Sequence, residues 1–158
     1  ALEVISTHDQ ILGGPSGQIF QACTFPADRA YAQQVQSLAL RVGEVLKSRG
    51  VLGRFGVDFV SVPVEDGWQH YAIEINLRKG GTTHTFQMLQ FLTGGRYDTA
   101  RAEFVTPDGA TRCYYATDNV VNAAYRRLTP DDLVDVPAFG GHVRVGQGVL
   151  VLRLQPRA

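Results

Sequence analysis

Cysteine is nearly absent: the 158 residues contain two, Cys23 and Cys113. They are too far apart for metal-ligand spacing and too few for a disulfide scaffold. Both are therefore expected as unbridged thiols in a reducing cytoplasm. Net charge is missing as well, because 15 Lys and Arg balance 15 Asp and Glu. No bulk field recruits nucleic acid or an anionic membrane, so neither is expected as a partner. No apolar run reaches membrane length and no signal-peptide pattern opens the chain, so nothing predicts an anchor or export. Internal repeats, low-complexity segments and domain linkers are also lacking. What remains is 44% hydrophobic and 19% charged residues, the composition of an ordinary globular chain. One domain spanning residues 1–158 is expected, burying about two-thirds of the unfolded chain's surface. The sequence opens on ALEVISTHDQ with no initiator Met, which suggests a processed chain or a piece of a longer protein.

Periodicity divides the chain into strands and helices. LEVISTHDQIL (2–12) and QIFQACTF (18–25) are β-prone runs on either side of GGPSG, which reads as a hairpin. Tyr31, Val35, Leu38, Val42 and Val45 then recur at spacings of four and three, the stripe of an amphipathic helix. Asp28 is its expected N-cap, and Gly50 its left-handed C-terminal residue. FGVDFVSVPV (55–64) and HYAIEINLR (70–78) form a second hairpin turning at Asp66-Gly67. A short helix follows between the glycine pairs of GGTTHTFQMLQFLTGG, and a third hairpin turns at Asp108-Gly109. LTPDDLVD predicts a helical turn with Thr129 as N-cap, and GQGVLVLRLQ a last strand. The expected fold class is α+β, a mainly antiparallel sheet with two or three packed helices.

HYAIEINLRKGG (70–81) carries Glu74, Asn76 and Arg78 on alternate positions of one strand. Pairing about Asp66 or Gly67 sets Asp58 opposite Glu74 or Asn76, and opposed residues of an antiparallel pair share a face. Ile73, Ile75 and Leu77 alternate with them and suit the core side. Two carboxylates and a carboxamide, with no His or Cys, are hard oxygen donors that suit Mg²⁺ or Mn²⁺. Arg78 beside them would grip a carboxylate or phosphoryl oxygen pair. The plain alternative is a solvated outer face, with Glu74 and Arg78 as a surface pair.

FGVDFV followed by YAIEINLRKGGTTH resembles the metal-binding end of ATP-grasp ligases. STHDQILGGPSGQ, EINLRKGGTTHTF, LQFLTGGRYD and YRRLTPDDL are similar to the carboxyl-terminal half of bacterial peptide ligases of the pheganomycin-biosynthesis type, over roughly residues 3–135. The resemblance implies an ATP-grasp carboxyl-terminal lobe with ATP and Mg²⁺ (or Mn²⁺) as cofactors. It makes Asp58, Glu74 and Asn76 the metal ligands, and Arg78 the arginine that steadies an acyl phosphate or tetrahedral intermediate. It brings His8, Asp9, Gln10, Ile73 and Lys79 to the cofactor, and His84 to a substrate carboxylate or to acid–base work; the plain alternatives are a hairpin face that meets water for residues 8–10, a solvated rim charge for Lys79 and a capping or core histidine for His84. Thr85 stands where the group tends to have Pro after the His.

By the same resemblance the chain is part of an ATP-dependent carboxylate–amine ligase acting through an acyl phosphate. Its partners would be a carboxylate, an amine and an amino-terminal ATP-grasp lobe, in cis or in trans, which carries the nucleotide-clamping lysines. Without that lobe little catalysis is expected. Two other readings stand beside it: a non-catalytic remnant or partner subunit, and an unrelated metal-dependent hydrolase. The hydrolase would have only His8, His70, His84 and His142 as histidine bases, none in a hydrolase motif. Asp131 and Asp132 are expected to serve a helix N-terminus, Tyr114 and Tyr115 to fill the sheet, and Asp118 and Asn119 to border the pocket.

Overall fold

A computed structural model describes residues 1–117, Asn119, Ala123, Arg127 and Thr129 in full, and the backbone of residues 142–145 and 148–156. The predicted turn at LTPDDLVD, with Asp131 and Asp132, and Asp118 lie outside the described residues.

The architecture is α+β. The elements run β1 (Asp9–Gly13), β2 (Ile19–Phe25), α1 (Ala32–Ser48), β3 (Gly56–Val64), β4 (Gly67–Asn76), α2 (Gly81–Thr93), β5 (Arg96–Asp98), β6 (Glu103–Val105), β7 (Thr111–Thr117), β8 (His142–Val145) and β9 (Gly148–Pro156). All pairings are antiparallel. β7 is the hub of the larger sheet: β9 runs along one edge, while β2 and the short β6 share the other. Among the described residues β3 and β4 pair only with each other, as a second, two-stranded sheet.

Local chemistry explains most element ends and corrects two expectations. The β-prone run at 2–8 is not a strand; β1 begins at Asp9, and residues 1–8 pair with no strand among the described residues. Helix α1 begins at Ala32, not behind an Asp28 cap. Asp28 instead closes the preceding turn, its carboxylate accepting from Ala30 N–H at 2.9 Å and its carbonyl from Ala32 N–H at 2.9 Å. At the far end Gly50, with φ +77°, donates to the Lys47 carbonyl and Val51 to that of Leu46. This is the left-handed helix exit that only glycine adopts without strain. α2 opens where Gly80 N–H donates to Thr83 Oγ1 at 3.1 Å, and closes at Gly94, φ +63°.

The core lies between the larger sheet and α2. Phe25, Phe86, Leu89, Phe104 and Tyr114 are buried together with Cys23 and Ala116. Phe25 is central, within 6 Å, ring to ring, of His8, Phe86, Tyr97, Phe104 and Tyr114. Cys23 and Cys113 form no disulfide. Glu103, buried on β6, is held by Arg29 and by Arg101, the latter at 3.0 Å.

Gly95 shows how tightly the sheet and α2 close. A Cβ there would run into the Phe104 ring and come within 2.9 Å of the Val105 carbonyl oxygen. Gly95→Ala is expected to cost about 1–3 kcal/mol, the usual price of overpacking. A lowered denaturant midpoint at unchanged slope checks it, and an unchanged midpoint refutes it.

Candidate metal centre

The β3–β4 hairpin closes on Val64 opposite Gly67, so its loop is Glu65-Asp66 rather than Asp66-Gly67. A regular ladder from that loop would put Ile73 across from Asp58. The register shifts between Asp58 and Phe59, Ile73 becomes an extra residue, and Glu74 pairs with Asp58 while Asn76 pairs with Gly56. This is a β-bulge, a feature that bends a strand and re-aims a side chain.

The pairing sorts the hairpin into two faces. Phe59, Ser61, Trp68 and His70 lie toward α1: Tyr31 meets Trp68 edge-on at 4.8 Å, and His70 Nε2 donates to Gln34 Oε1 at 3.0 Å while its Nδ1 accepts from Ser61. The other face carries Asp58, Glu74 and Asn76 at one end and Val60, Val62, Val64 and Tyr71 toward the turn. The expectation that Ile73, Ile75 and Leu77 point into a core is wrong. They are 64%, 46% and 57% exposed, because α1 covers the hairpin at Trp68 and His70, nearer the turn. The exposed valines and Tyr71 bordering the carboxylates are a neighbourhood the sequence reading passed over, although the alternation in FVSVPV signals them.

Asp58 and Glu74 are like charges directly opposed, an arrangement that destabilises a hairpin. Repulsion between such half-exposed carboxylates is of the order of 1–3 kcal/mol. Asn76 Nδ2 donates to Asp58 Oδ2 at 3.2 Å, which leaves the amide oxygen of Asn76 available. Burial and the neighbouring Glu74 charge push the Asp58 carboxyl above the ordinary aspartate range, against the opposing pull of Arg78 and the Asn76 hydrogen bond. No cluster of three or more His, Cys, Asp or Glu side chains forms among the described residues. The donor set here is two carboxylates and an amide. It has the charge, hardness and donor number of a Mg²⁺ or Mn²⁺ site that leaves positions open to phosphate oxygens.

This geometry has a pH signature. Because Asp58 holds its proton more tightly when folded, its contribution to stability is present below the ordinary aspartate pKa of 3.8 and is lost as pH rises through its raised value. Relative to Asp58→Asn, the metal-free chain should lose stability over that interval, and Mg²⁺ should restore it. Chemical unfolding at stepped pH, with and without Mg²⁺, checks both signs.

The remaining candidates fall elsewhere. Arg78 and Lys79 are exposed just past β4, and Arg78 acts on Asp58 through space. His84 is exposed on the first turn of α2. His8 sits against the core, its Nε2 2.6 Å from the Tyr114 hydroxyl, which is in turn 2.9 Å from Thr85 Oγ1. Thr85 donates to the Thr82 carbonyl. One proton order satisfies every link: His8 Nε2–H to Tyr114, Tyr114 O–H to Thr85. Burial depresses the His8 pKa to about 3, so the ring is neutral. Tyr114, expected to fill the sheet, therefore ties β7 to the start of α2. Asp9 accepts from Tyr31 O–H at 2.7 Å and from Asp28 N–H at 2.9 Å. Gln10 is exposed on β1, and Asn119 is bonded to the Phe20 and Gln21 carbonyls. The hairpin group and the His8–Asp9–Gln10 group share no contact among these bonds.

A paired-carboxylate hairpin followed by a glycine-opened helix lies within residues 1–100, and those residues match the family model described as IQCH-like, ATP-grasp. The chain belongs to the IQCH-like ATP-grasp family. An L-propargylglycine--L-glutamate ligase from Streptantibioticus cattleyicolor is 43% identical to this ATP-grasp chain over 95 residues, 60% of the chain and 18% of the ligase. IQ motif-containing protein H from Danio rerio is 26% identical over 110 residues, 68% of the chain and 10% of that protein. The ATP-grasp chain thus matches less than a fifth of the length of either relative. No solved structure matches it significantly. No helix among the described residues is long and apolar enough to cross a membrane.

Proposed function

We propose that this chain is the divalent-cation-binding part of an ATP-dependent carboxylate–amine ligase. The observation that carries the reading is the opposed pair Asp58 and Glu74, with the Asn76 amide bonded to one of them and Arg78 acting on the same carboxylate. Asp58, Glu74 and Asn76 would hold Mg²⁺ or Mn²⁺. The ion would supply neutralisation of ATP phosphate charge. Arg78 would grip the anion that develops as a carboxylate oxygen takes the γ-phosphoryl group and ADP leaves. An amine nitrogen then attacks the acyl carbon, phosphate departs and the amine's proton is released. Lys79 and the Gly80–Gly81 backbone would meet phosphate, and Ile73, projecting at the bulge, the nucleotide. Gln10 would reach the ligand directly, whereas His8 and Asp9, whose side chains are engaged inside the protein, would position their neighbours. His84 would orient the substrate carboxylate.

The likeness to an amino-acid ligase supports amino-acid or peptide substrates, and cytoplasmic supply of ATP suits the reading. The site would be completed by an amino-terminal ATP-grasp lobe, in cis or in trans. The likeness to IQ motif-containing protein H supports a second reading, in which the lobe binds a cation without catalysis. The deciding experiment measures ADP formation by the chain combined with an ATP-grasp amino-terminal lobe, with Mg²⁺ and pairs of amino acids. Release of ADP that depends on both acid and amine supports the ligase. Mn²⁺ binding on the Asp58 face without ADP release supports the non-catalytic lobe. Absence of Mn²⁺ binding there refutes both.

A further inference from the structure

The face of the β3–β4 hairpin turned away from the carboxylate pair carries a second set of reactive groups. Ser61 Oγ lies 2.8 Å from His70 Nδ1, and His70 Nε2 lies 3.0 Å from Gln34 Oε1 on α1. Gln34 Nε2 donates to the Ala30 carbonyl at 3.5 Å, which leaves its oxygen toward the imidazole. One proton order follows: Nε2–H donates to Gln34, Nδ1 is the basic nitrogen, and the Ser61 O–H donates to it. A hydroxyl, a base and a group that orients the base are the parts of an activated serine, and an amide can fill the third place. The partners stand 9 and 36 positions apart, so no motif along the chain announces them.

The backbone adds a fourth group. Pro63 has no N–H, so Pro63 and Trp68 form a non-hydrogen-bonded pair of the ladder. Pair types alternate along an antiparallel ladder, which makes Ser61 with His70 the next non-hydrogen-bonded pair. Such pairs bring side chains closest, and this accounts for the short Ser61–His70 contact. They also turn the backbone N–H outward. Ser61 N–H therefore faces the open edge of β3, where no strand among the described residues takes it. Ser61 and His70 are half-buried and Gln34 is exposed, so the hydroxyl is open to a small molecule from solvent. The Tyr31 ring, 6.1 Å from that of His70 and edge-on to Trp68, forms an apolar wall beside it.

We infer that Ser61 is a nucleophile for acyl transfer, taking the acyl group of a small ester whose alcohol is apolar or aromatic. As Ser61 Oγ bonds to the acyl carbon, its proton passes to His70 Nδ1, and Gln34 Oε1 steadies the imidazolium through Nε2–H. Ser61 N–H donates to the oxyanion. The ester C–O bond then breaks, and the departing alkoxide takes the proton from Nδ1. Water gives a proton to the same nitrogen as it attacks the acyl carbon, the acid is released, and Ser61 Oγ takes that proton back. Ser61 and His70 lie on the opposite face from Asp58 and Glu74, so the inference does not depend on the ligase reading.

The test mixes the chain with p-nitrophenyl acetate, follows p-nitrophenolate release by absorbance and locates acetyl groups by peptide mass spectrometry. Acetylation of Ser61 is expected to outrun that of Ser16, an exposed serine in the β1–β2 turn, by at least about 10²-fold, the lower end of general base catalysis. Ser61→Ala should abolish the fast release, and His70→Gln should bring Ser61 down to the Ser16 rate. If His70→Gln loosens the ribbon, Gln34→Met, on the exposed surface of α1, should slow acetylation by about tenfold, the loss of one hydrogen bond to the imidazolium. Gln34→Glu sets a carboxylate on the same Nε2–H and should speed it above wild type, which a merely structural tie would not do. A chelator should leave the rate unchanged. Acetylation of Ser61 no faster than of Ser16, an unchanged rate in Ser61→Ala or Gln34→Glu, or a reaction that a chelator stops would each overturn the assignment.

Discussion

Phe25→Ala is expected to lower the unfolding free energy by about 3–5 kcal/mol, the range for emptying a fully buried aromatic position. Phe25 is 1% exposed and meets five other rings, stacking on Tyr114 at 5.0 Å and meeting Phe86 edge-on at 5.3 Å. The loss has two parts: the transfer energy of the ring, and the cavity left because neighbours on β6, β7 and α2 cannot all close in. Phe25→Leu keeps most of the volume and should cost clearly less. Equilibrium denaturation of the three proteins checks the order. If Phe25→Ala unfolds at the wild-type midpoint, the ring cluster is not the core of the fold.

Glu74→Gln should move two quantities in opposite directions. If the chain acts as proposed, turnover of the chain combined with an amino-terminal lobe should fall by about 10²–10³-fold, the loss from removing one group that organises charge around the reacting phosphate. In the isolated chain without metal, stability should rise, because the substitution keeps the side chain's shape and removes one of two opposed like charges. The Asp58 carboxyl should return toward its ordinary range, since the Glu74 charge is among the causes that raise it. A surface glutamate with no part in a cation site could lower activity by misfolding. Misfolding could not lower activity while raising metal-free stability. Thermal unfolding in a chelator, ADP release with Mg²⁺ and a carboxyl NMR titration of Asp58 together decide it.

Much of this site was legible in the sequence because a hairpin is a local object. The polar residues at 74, 76 and 78 and a turn near Asp66 limited the partner of Asp58 to Glu74 or Asn76, and the pair is Glu74. The bulge at Ile73 was not legible. It follows from how two strands twist against each other and has no residue signature here. The helix exit at Gly50 was readable because one residue type suits it, whereas β5 and β8, with three and four residues, are too short to show a period. The apolar run at 2–8 has strand composition but no strand beside it among the described residues. The engagement of His8, Asp9 and Tyr114 depends on partners up to 106 positions away, which spacing along the chain does not encode.

The isolation of the β3–β4 ribbon has a kinetic consequence. A two-stranded sheet is marginal by itself, and this one leans on α1 mainly through Trp68 and His70. Its amides should therefore exchange with solvent deuterium by sub-global opening, well before those of β7, which is paired on both edges. Any cation captured by Asp58 and Glu74 would close that opening as it bound. Slowed exchange confined to β4, while β7 keeps its own rate, would be the record of an ion that rigidifies the ribbon it binds.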